Sequence, residues 1–152
     1  MIVGVLSDTH GLLRPEVMAA LDGSDIILHA GDVGKSEILE ELGGLAPVFA
    51  IRGNVDRGVW SERLPLTQVV EVADALVYMV HDLNDLAIDP VAAGMKAVIS
   101  GHSHMPKSEH RDGVLYLNPG SAGPRRFRLP VTVSLLAVDG ITIVPEIREL
   151  PV

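Results

Sequence analysis

Residues 1–10 read MIVGVLSDTH, a short apolar run that ends in an aspartate and a histidine. The run is continuous rather than alternating, which is typical of a strand buried on both faces. It is followed by a helical pattern over 14–23, a second buried strand over 25–30, a helix over 36–44 and a third strand over 47–53. This β-α-β-α-β order predicts parallel strands joined by helical crossovers.

The second half of the chain is dominated by hairpin signals. The runs TQVVEVA (67–73) and ALVYMVH (75–81) flank Asp74, and RDG (111–113) and DG (139–140) are typical turn sequences. A brief helical stretch is expected at 90–94, before a strand in MKAVISG (95–101). In the helix at 36–44, Ser36 is the expected N-cap and Gly43 the stop. We predict one α/β domain over 1–152, with two packed mixed β-sheets flanked by helices.

Composition excludes several classes of protein. Hydrophobic residues make up 47% of the 152 residues but aromatic residues only 3%, so the core must consist mainly of Val, Ile, Leu and Ala. The absence of cysteine excludes disulfide scaffolds, zinc–thiolate sites and thiol nucleophiles, and it is compatible with the cytoplasm, the location we expect. Asp8 interrupts the first apolar run, so we expect no signal peptide, and no apolar run approaches the ~18 residues that span a bilayer. A net charge of −8 argues against sequence-independent binding to nucleic acid.

Polar residues follow five of the predicted strands at the point where each strand ends. They are Asp8 and His10, Asp32, Asn54 and Asp56, His81, and finally His102 and His104. Taken singly, each could be a helix cap, a turn residue or a buried histidine with a partner. However, ligands of open α/β sheets bind at the carboxyl ends of the strands, where these residues would converge. Three glycines that directly precede such residues, Gly31, Gly53 and Gly101, would let the backbone approach a shared centre.

The five blocks together resemble a known family. The motifs are D-x-H (8–10), G-D (31–32), G-N-x-D (53–56), the strand-end His81 and G-H-S-H (101–104), and in this order they are similar to the calcineurin-like metallophosphoesterase superfamily. The segment NPGSAGPRR (118–126) extends the similarity. The short chain without insertions resembles the small bacterial and archaeal phosphodiesterase branch.

The resemblance implies a centre with two metal ions. One ion would be held by Asp8, His10, Asp32 and His104. The other would be held by Asp32, Asn54, His81 and His102, with Asp32 bridging the pair. Carboxylate, amide and imidazole ligands suit Mn²⁺, Fe²⁺, Zn²⁺ or Ni²⁺ better than Mg²⁺ or Ca²⁺, and we expect Mn²⁺ first.

The implied activity is hydrolysis of small phosphodiesters by a hydroxide shared between the two ions. No other cofactor is expected. Asp32, Asn54 and Asp56 form the predicted catalytic set, with Asp56 as the candidate that orients a ligand histidine.

Two positions depart from the family pattern. Many members have G-N-H-D/E, in which the histidine assists the leaving group, whereas this chain has Val55. We therefore expect better activity on diesters with good leaving groups. Asp82 stands where a glycine commonly follows the strand-end histidine, and we expect its carboxylate to order His81 or to alter the second metal site.

Other polar residues have simpler interpretations. Lys35 and Ser36 are read as a helix start, because the glycine that a phosphate-binding loop requires is His29 instead. His29 itself is read as a buried histidine rather than a ligand, and His110 as solvated. In PRRFR (124–128) we expect a solvated loop from which one arginine could reach a substrate phosphate. NPGS (118–121) either approaches the cleft or simply forms a tight turn.

Two alternative functions stay open at this point. A retromer subunit that resembles this family serves in protein assembly, so a non-catalytic scaffold is one alternative. A metal-dependent nuclease is another, and the lack of a basic surface disfavours it. Exposed hairpin edges could also pair in a homo-oligomer.

Overall fold

The computed structural model describes residues 1–152 and contains ten strands and two α-helices. The elements are β1 (Ile2–Leu6), α1 (Pro15–Leu21), β2 (Ile26–His29), α2 (Ser36–Gly43), β3 (Val48–Ala50), β4 (Thr67–Val72), β5 (Ala75–Val80), β6 (Met95–Ile99), β7 (Lys107–Arg111), β8 (Val114–Asn118), β9 (Thr132–Asp139) and β10 (Thr142–Glu149). Short 3₁₀ helices lie at Val59–Arg63 and Leu83–Asp85.

The strands form two five-stranded mixed sheets, as the sequence predicts. The first has the order β10-β9-β1-β2-β3, in which β1, β2 and β3 run parallel and β9 pairs antiparallel with β1. The second has the order β4-β5-β6-β8-β7, in which β5, β6 and β8 run parallel. The predicted β-α-β-α-β unit and all three predicted hairpins are therefore confirmed.

The main core lies between the two sheets. It contains Val3 and Val5 from β1, Met79 from β5 and Ile99 from β6, all fully buried. A second cluster lies under α1 and α2 on the outer face of the first sheet. The outer face of the second sheet has no α-helix, and its apolar residues pack against Leu83, Leu86 and Ile88 of the segment that follows β5. The two α-helices thus flank only one side of the sandwich.

Three local expectations were wrong. Lys35, not Ser36, occupies the N-cap of α2, and the Ser36 hydroxyl contacts Glu37 instead of capping the helix. Residues 90–94 form a single turn, which ends at Gly94 with a φ of +76°. In the last hairpin Asp139 still pairs with Thr142, so the turn residues are 140 and 141, one position later than predicted.

Five strands of the two sheets have their carboxyl ends at one edge of the sandwich. The loops after β1, β2, β3, β5 and β6 carry the polar residues singled out in the sequence. No helix of the structure combines the length and the apolar character needed to cross a membrane.

Candidate metal centre

Two clusters of histidine and aspartate form where these loops meet. In the first, the potential ligand atoms of Asp8, His10 and His104 all lie within 4.8 Å of one another. In the second, the same holds for Asp32, His81 and His102. The structure thus brings together six of the seven predicted metal ligands, which come from four separate loops.

Asp8 lies at the centre of the first cluster. Its Oδ2 atom accepts hydrogen bonds from the Ser7 hydroxyl at 2.6 Å and from the His102 backbone N–H at 3.0 Å. Its Oδ1 atom has no hydrogen-bond partner and lies 3.3 Å from His104 Nε2 and 3.6 Å from His10 Nε2. One oxygen is therefore held by the protein while the other faces two histidine rings.

Asp32 contacts both clusters. Its Oδ2 atom lies 3.1 Å from His81 Nε2 in the second cluster and 3.6 Å from His10 Nε2 in the first. Its Oδ1 atom accepts a hydrogen bond from the Val55 backbone N–H at 3.0 Å. Asp32 therefore lies between the two clusters.

The seventh predicted ligand, Asn54, lies beside the second cluster. One atom of its side-chain amide is 3.1 Å from His81 Nε2 and from both carboxylate oxygens of Asp32. With nitrogen at that position the amide donates to Asp32, and with oxygen it adds another acceptor to the cluster. All seven predicted ligands therefore converge on one centre.

The ring of His81 is oriented from behind by the backbone. Its Nδ1 atom lies 2.7 Å from the carbonyl oxygen of Ala30, and because a carbonyl only accepts, Nδ1–H is the donor. This fixes the Nε2 atom towards Asp32. Histidines that bind metals are commonly held by a hydrogen bond of this kind at the other ring nitrogen.

The proton equilibria of the site follow from these contacts. Burial opposes ionisation of Asp32, but the neighbouring His81 and the Val55 N–H outweigh it and lower its pKa to about 2. Burial likewise opposes the charged form of His81, yet Asp32 and the Ala30 carbonyl raise its pKa to about 9. Asp8 raises the pKa of His10, whereas burial lowers the pKa of His104. These two shifts favour an ionised Asp32 that faces a protonated His81.

The residues fit a bound cation. Asp8 Oδ1, His10 Nε2 and His104 Nδ1 are buried atoms without any hydrogen-bond partner. Buried polar atoms are rarely left unpaired, and a cation would interact favourably with the unpaired carboxylate oxygen of Asp8. The mixed oxygen and nitrogen donors suit a divalent transition metal.

The backbone of the site is held in an uncommon conformation. Eight non-glycine residues have a positive φ, and five of them belong to the two clusters: Asp8, His10, Asp32, His102 and His104. Such residues are uncommon and cost on the order of 1–3 kcal/mol each, and they concentrate at functional sites. The surrounding fold therefore imposes the geometry of the centre.

The three glycines singled out in the sequence permit this close packing. A Cβ atom at Gly53 would collide with Asp32, and one at Gly101 would collide with the Ser7 hydroxyl and lie 2.6 Å from Asp8 Oδ2. At Gly31 the added atom would lie 2.7 Å from His81 Nδ1. The expected reason for these glycines, close approach of the backbone to a shared centre, is confirmed.

Of the two roles expected for Asp82, the structure does not show ordering of His81 but places the carboxylate beside His102 of the second cluster. Its Oδ2 atom lies 3.7 Å from His102 Nε2, whereas His81 is oriented by Ala30. The difference arises because Asp82 Oδ1 accepts a hydrogen bond from Asn84 N at 3.0 Å, which caps the following 3₁₀ helix. This bond turns the carboxylate towards the exposed ring of His102.

Asp56 does not orient a histidine. Its carboxylate accepts three backbone hydrogen bonds, from Val33 at 3.2 Å, Gly34 at 2.9 Å and Gly53 at 2.9 Å. It therefore joins the loop that carries Asp32 to the loop that carries Asn54. Its connection to the site runs through the backbone.

Three further residues support the site, and the sequence signals only two of them, which lie in the NPGS segment. Ser7, which fixes Asp8, has no signal beyond a serine next to an aspartate. Asn118 donates to the Gly101 carbonyl at 2.9 Å, and the Ser121 hydroxyl donates to the Asp8 carbonyl at 3.1 Å. NPGS therefore approaches the cleft and shapes two of its loops.

The structure also describes the two other histidines and the arginine segment singled out in the sequence. His29 is fully buried between the Thr9 hydroxyl and the Gly31 N–H, and burial lowers its pKa to about 4, so it is a neutral supporting residue. His110 is exposed on β7, as predicted. In the 124–128 segment, Arg125 donates to the Val152 carbonyl, while the charge of Arg126 acts on His10 and His104.

Comparison with known proteins agrees with this geometry. Residues 1–140 match the calcineurin-like phosphoesterase superfamily domain. A protein of Methanothermobacter thermautotrophicus described as a probable metallophosphoesterase is 36% identical, over 97% of this chain and 91% of that protein. In fold, the chain is similar to an archaeal phosphodiesterase, with a TM-score of 0.80, 23% identity, and coverage of 97% of this chain and 100% of that one.

The chain is also similar in fold to Vps29 of Entamoeba histolytica in complex with Zn²⁺. The TM-score is 0.77 at 23% identity, and the match covers 98% of this chain and 99% of that one. These structural likenesses concern the fold, whereas the domain match and the sequence relative concern the family. The chain therefore belongs to the calcineurin-like phosphoesterase superfamily, and its two histidine–aspartate clusters support divalent-metal binding in a phosphoester hydrolase.

Proposed function

We propose that the chain is a phosphodiesterase that uses two divalent transition metal ions. Asp8, His10 and His104 would hold one ion and Asn54, His81 and His102 the other, with Asp32 bridging them. The observation that carries the proposal is the convergence of these seven side chains, with buried polar atoms that have no hydrogen-bond partner. Mn²⁺ is the first choice of metal for this mixed ligand set, followed by Ni²⁺, Fe²⁺ and Zn²⁺.

The bound ions would supply positive charge for the phosphoryl oxygens and lower the pKa of water towards neutrality. The chain itself positions the ligands. Ser7 and the His102 N–H hold Asp8 so that Oδ1 faces the centre. The Ala30 carbonyl holds Nδ1–H of His81, and the proton on its Nε2 must leave when that nitrogen becomes a ligand. Metal binding is therefore expected to release protons.

A small phosphodiester is the substrate class that fits the chain best. The net charge of −8 disfavours binding of long nucleic acids. The phosphate of a small substrate would be attracted locally, by the positive charge at the centre and by Arg126. Val55, whose side chain is 43% exposed, carries no group that could protonate a leaving alkoxide. Diesters with good leaving groups, such as aryl esters, should therefore react faster than alkyl diesters.

The test is metal-dependent hydrolysis of bis-p-nitrophenyl phosphate by the full chain. Activity should require added Mn²⁺ and disappear with a chelator. Asp32→Ala and His104→Ala should each lower it at least ~100-fold, on the scale seen when a group that supports the transition state is removed. His110→Ala is the matched control, because His110 lies exposed on β7 away from both clusters. Equal turnover by the Asp32→Ala and His104→Ala variants and the wild type would refute the proposal.

A non-catalytic scaffold is the second candidate, because the fold is shared with Vps29. It predicts that no diester is hydrolysed under any metal condition. The seven converging side chains favour the enzyme, since a scaffold has no need to retain all of them. The cytoplasmic location and the homo-oligomer expected from the sequence stay predictions.

A further inference from the structure

Two cavities flank the second cluster and meet at the same pair of residues. One has a volume of about 480 Å³ and is lined by Arg52, Asn54 and Thr67 among others. The other has a volume of about 410 Å³ and lies on the β7–β8 side of the sheet. Asp82 and His102 line both cavities. We call the second cavity, with Met105, Lys107, Arg111 and Tyr116 in its wall, the tyrosine cavity.

The arrangement suits a phosphorus atom that carries two organic groups. His102 belongs to the Asp32–His81 cluster, so a phosphoryl group bound there lies at the junction of the two cavities. A diester can place one substituent in each cavity, whereas a monoester has a substituent for only one. Both volumes lie within the range of small-molecule sites, which is about 300–1,000 Å³.

The wall of the tyrosine cavity contains a flat surface. The guanidinium carbon of Arg111 lies 4.6 Å from the centroid of the Tyr116 ring. Glu109 holds that guanidinium at 2.7 Å, and its other oxygen pairs with Lys107 at 2.9 Å. A guanidinium that lies over an aromatic ring offers a planar, cationic face on which another flat group can stack.

We infer that the tyrosine cavity binds a flat aromatic substituent of the diester, either an aryl group or a heteroaromatic base, against Arg111 and Tyr116. This inference rests on the proposed function, because the cavity is placed relative to the phosphate by His102. The inferred substrate is a small diester in which at least one of the two organic substituents, or arms, is aromatic. The residues that line the other cavity include no phenylalanine, tyrosine or tryptophan, so the second arm carries no such requirement.

The experiment uses diphenylphosphinate and dimethylphosphinate, which resemble diesters but have carbon–phosphorus bonds that are not hydrolysed. Their dissociation constants are measured by calorimetry on the Mn²⁺-loaded full chain. Tyr116→Leu and Arg111→Ala should each weaken binding of diphenylphosphinate roughly ten-fold, the usual size of one stacking contact. Dimethylphosphinate should bind equally well to all variants, because it has no group to stack.

Two controls separate stacking from general damage. Tyr116→Phe keeps the ring and should restore wild-type affinity. Arg148→Ala removes an arginine that pairs with Glu146 two residues away on β10, in the same pattern as Arg111 with Glu109, but lines neither cavity. Equal loss of both phosphinates, or no loss of diphenylphosphinate in Tyr116→Leu and Arg111→Ala, would overturn the inference alone. A wild-type protein that hydrolyses no diester would overturn the proposed function and this inference together.

Discussion

Gly101 offers the sharpest test of how the fold supports the centre. Its φ is not positive, so alanine at this position meets no backbone penalty and the effect comes from contact alone. The new methyl group would overlap the Ser7 hydroxyl and lie 2.6 Å from Asp8 Oδ2. Ser7 and Asp8 are fully buried, so neither side chain can move into solvent to make room. The bond between the Ser7 hydroxyl and Asp8 must therefore break.

The magnitude follows from two overlapping costs. Loss of a hydrogen bond to a charged group costs about 1.5–3 kcal/mol, and overpacking of a core costs about 1–3 kcal/mol. Because the same displacement causes both, we expect Gly101→Ala to lower the free energy of unfolding by about 3 kcal/mol. With a urea m-value of about 2 kcal/mol/M, the midpoint of unfolding should fall by ~1.5 M.

The assay is urea unfolding with a chelator present, so that metal binding does not contribute to stability. Gly43→Ala is the control, because Gly43 is the last residue of α2 and no atom lies within 4 Å of the added Cβ. The free energy of unfolding of this variant should be unchanged or raised by up to ~1 kcal/mol. The double variant Ser7→Ala with Gly101→Ala should be less destabilised than the sum of the two single variants. A Gly101→Ala protein within ~0.5 kcal/mol of the wild type would refute the reasoning, because ordinary surface changes have effects of that size.

Three further predictions concern a buried histidine, an unusual carboxylate and a substituted valine. Burial lowers the pKa of His29 from 6.5 to about 4, so the unfolded chain takes up its proton first, and unfolding free energy should fall by about 3 kcal/mol as pH drops from 6.5 to 4. Between pH 6.5 and 4, the urea midpoint of unfolding should change less with pH in His29→Gln than in the wild type. An equal dependence on pH in the two proteins would contradict the prediction. Asp82→Asn should weaken Mn²⁺ binding about ten-fold, measured by calorimetry, because Asp82 lies beside His102. Asp85→Asn, in the same cavity, should leave Mn²⁺ affinity unchanged, and equal affinities of the two variants would exclude a role of Asp82 in metal binding. Val55→His should raise hydrolysis of alkyl diesters at least ~ten-fold relative to aryl diesters, as a positioned general acid would, and a uniform change in both rates would argue against it.

The order of strands and the residues at their ends could be predicted because both depend on local patterns. Continuous apolar runs indicated the central strands, and polar residues at their carboxyl ends indicated the cleft. Gly31, Gly53 and Gly101 were informative because a glycine directly before a polar residue at a strand end lets two loops pack closely. The family motifs then divided the polar residues into two sets that the structure also separates.

The contacts behind the site could not be predicted, because they depend on the direction of side chains in irregular loops. Asp82 turns to His102 because of a hydrogen bond to Asn84 that forms only with the following 3₁₀ helix. Asp56 binds three backbone N–H groups whose positions are set by two different loops. Leu83, Leu86 and Ile88, which cover the second sheet, form too short an apolar pattern to predict this packing.

The left-handed backbone at Asp8, His10, Asp32, His102 and His104 has a consequence for how such chains diverge. Each of these positions combines a side chain suited to a ligand with a conformation that glycine adopts most readily, followed by asparagine and aspartate. In a lineage that has abandoned metal binding, selection for the side chain ends while the strain persists. Replacement by glycine or asparagine would then stabilise the fold and erase the ligands together. Substitutions at these five positions should therefore mark loss of the centre earlier than changes elsewhere in the domain.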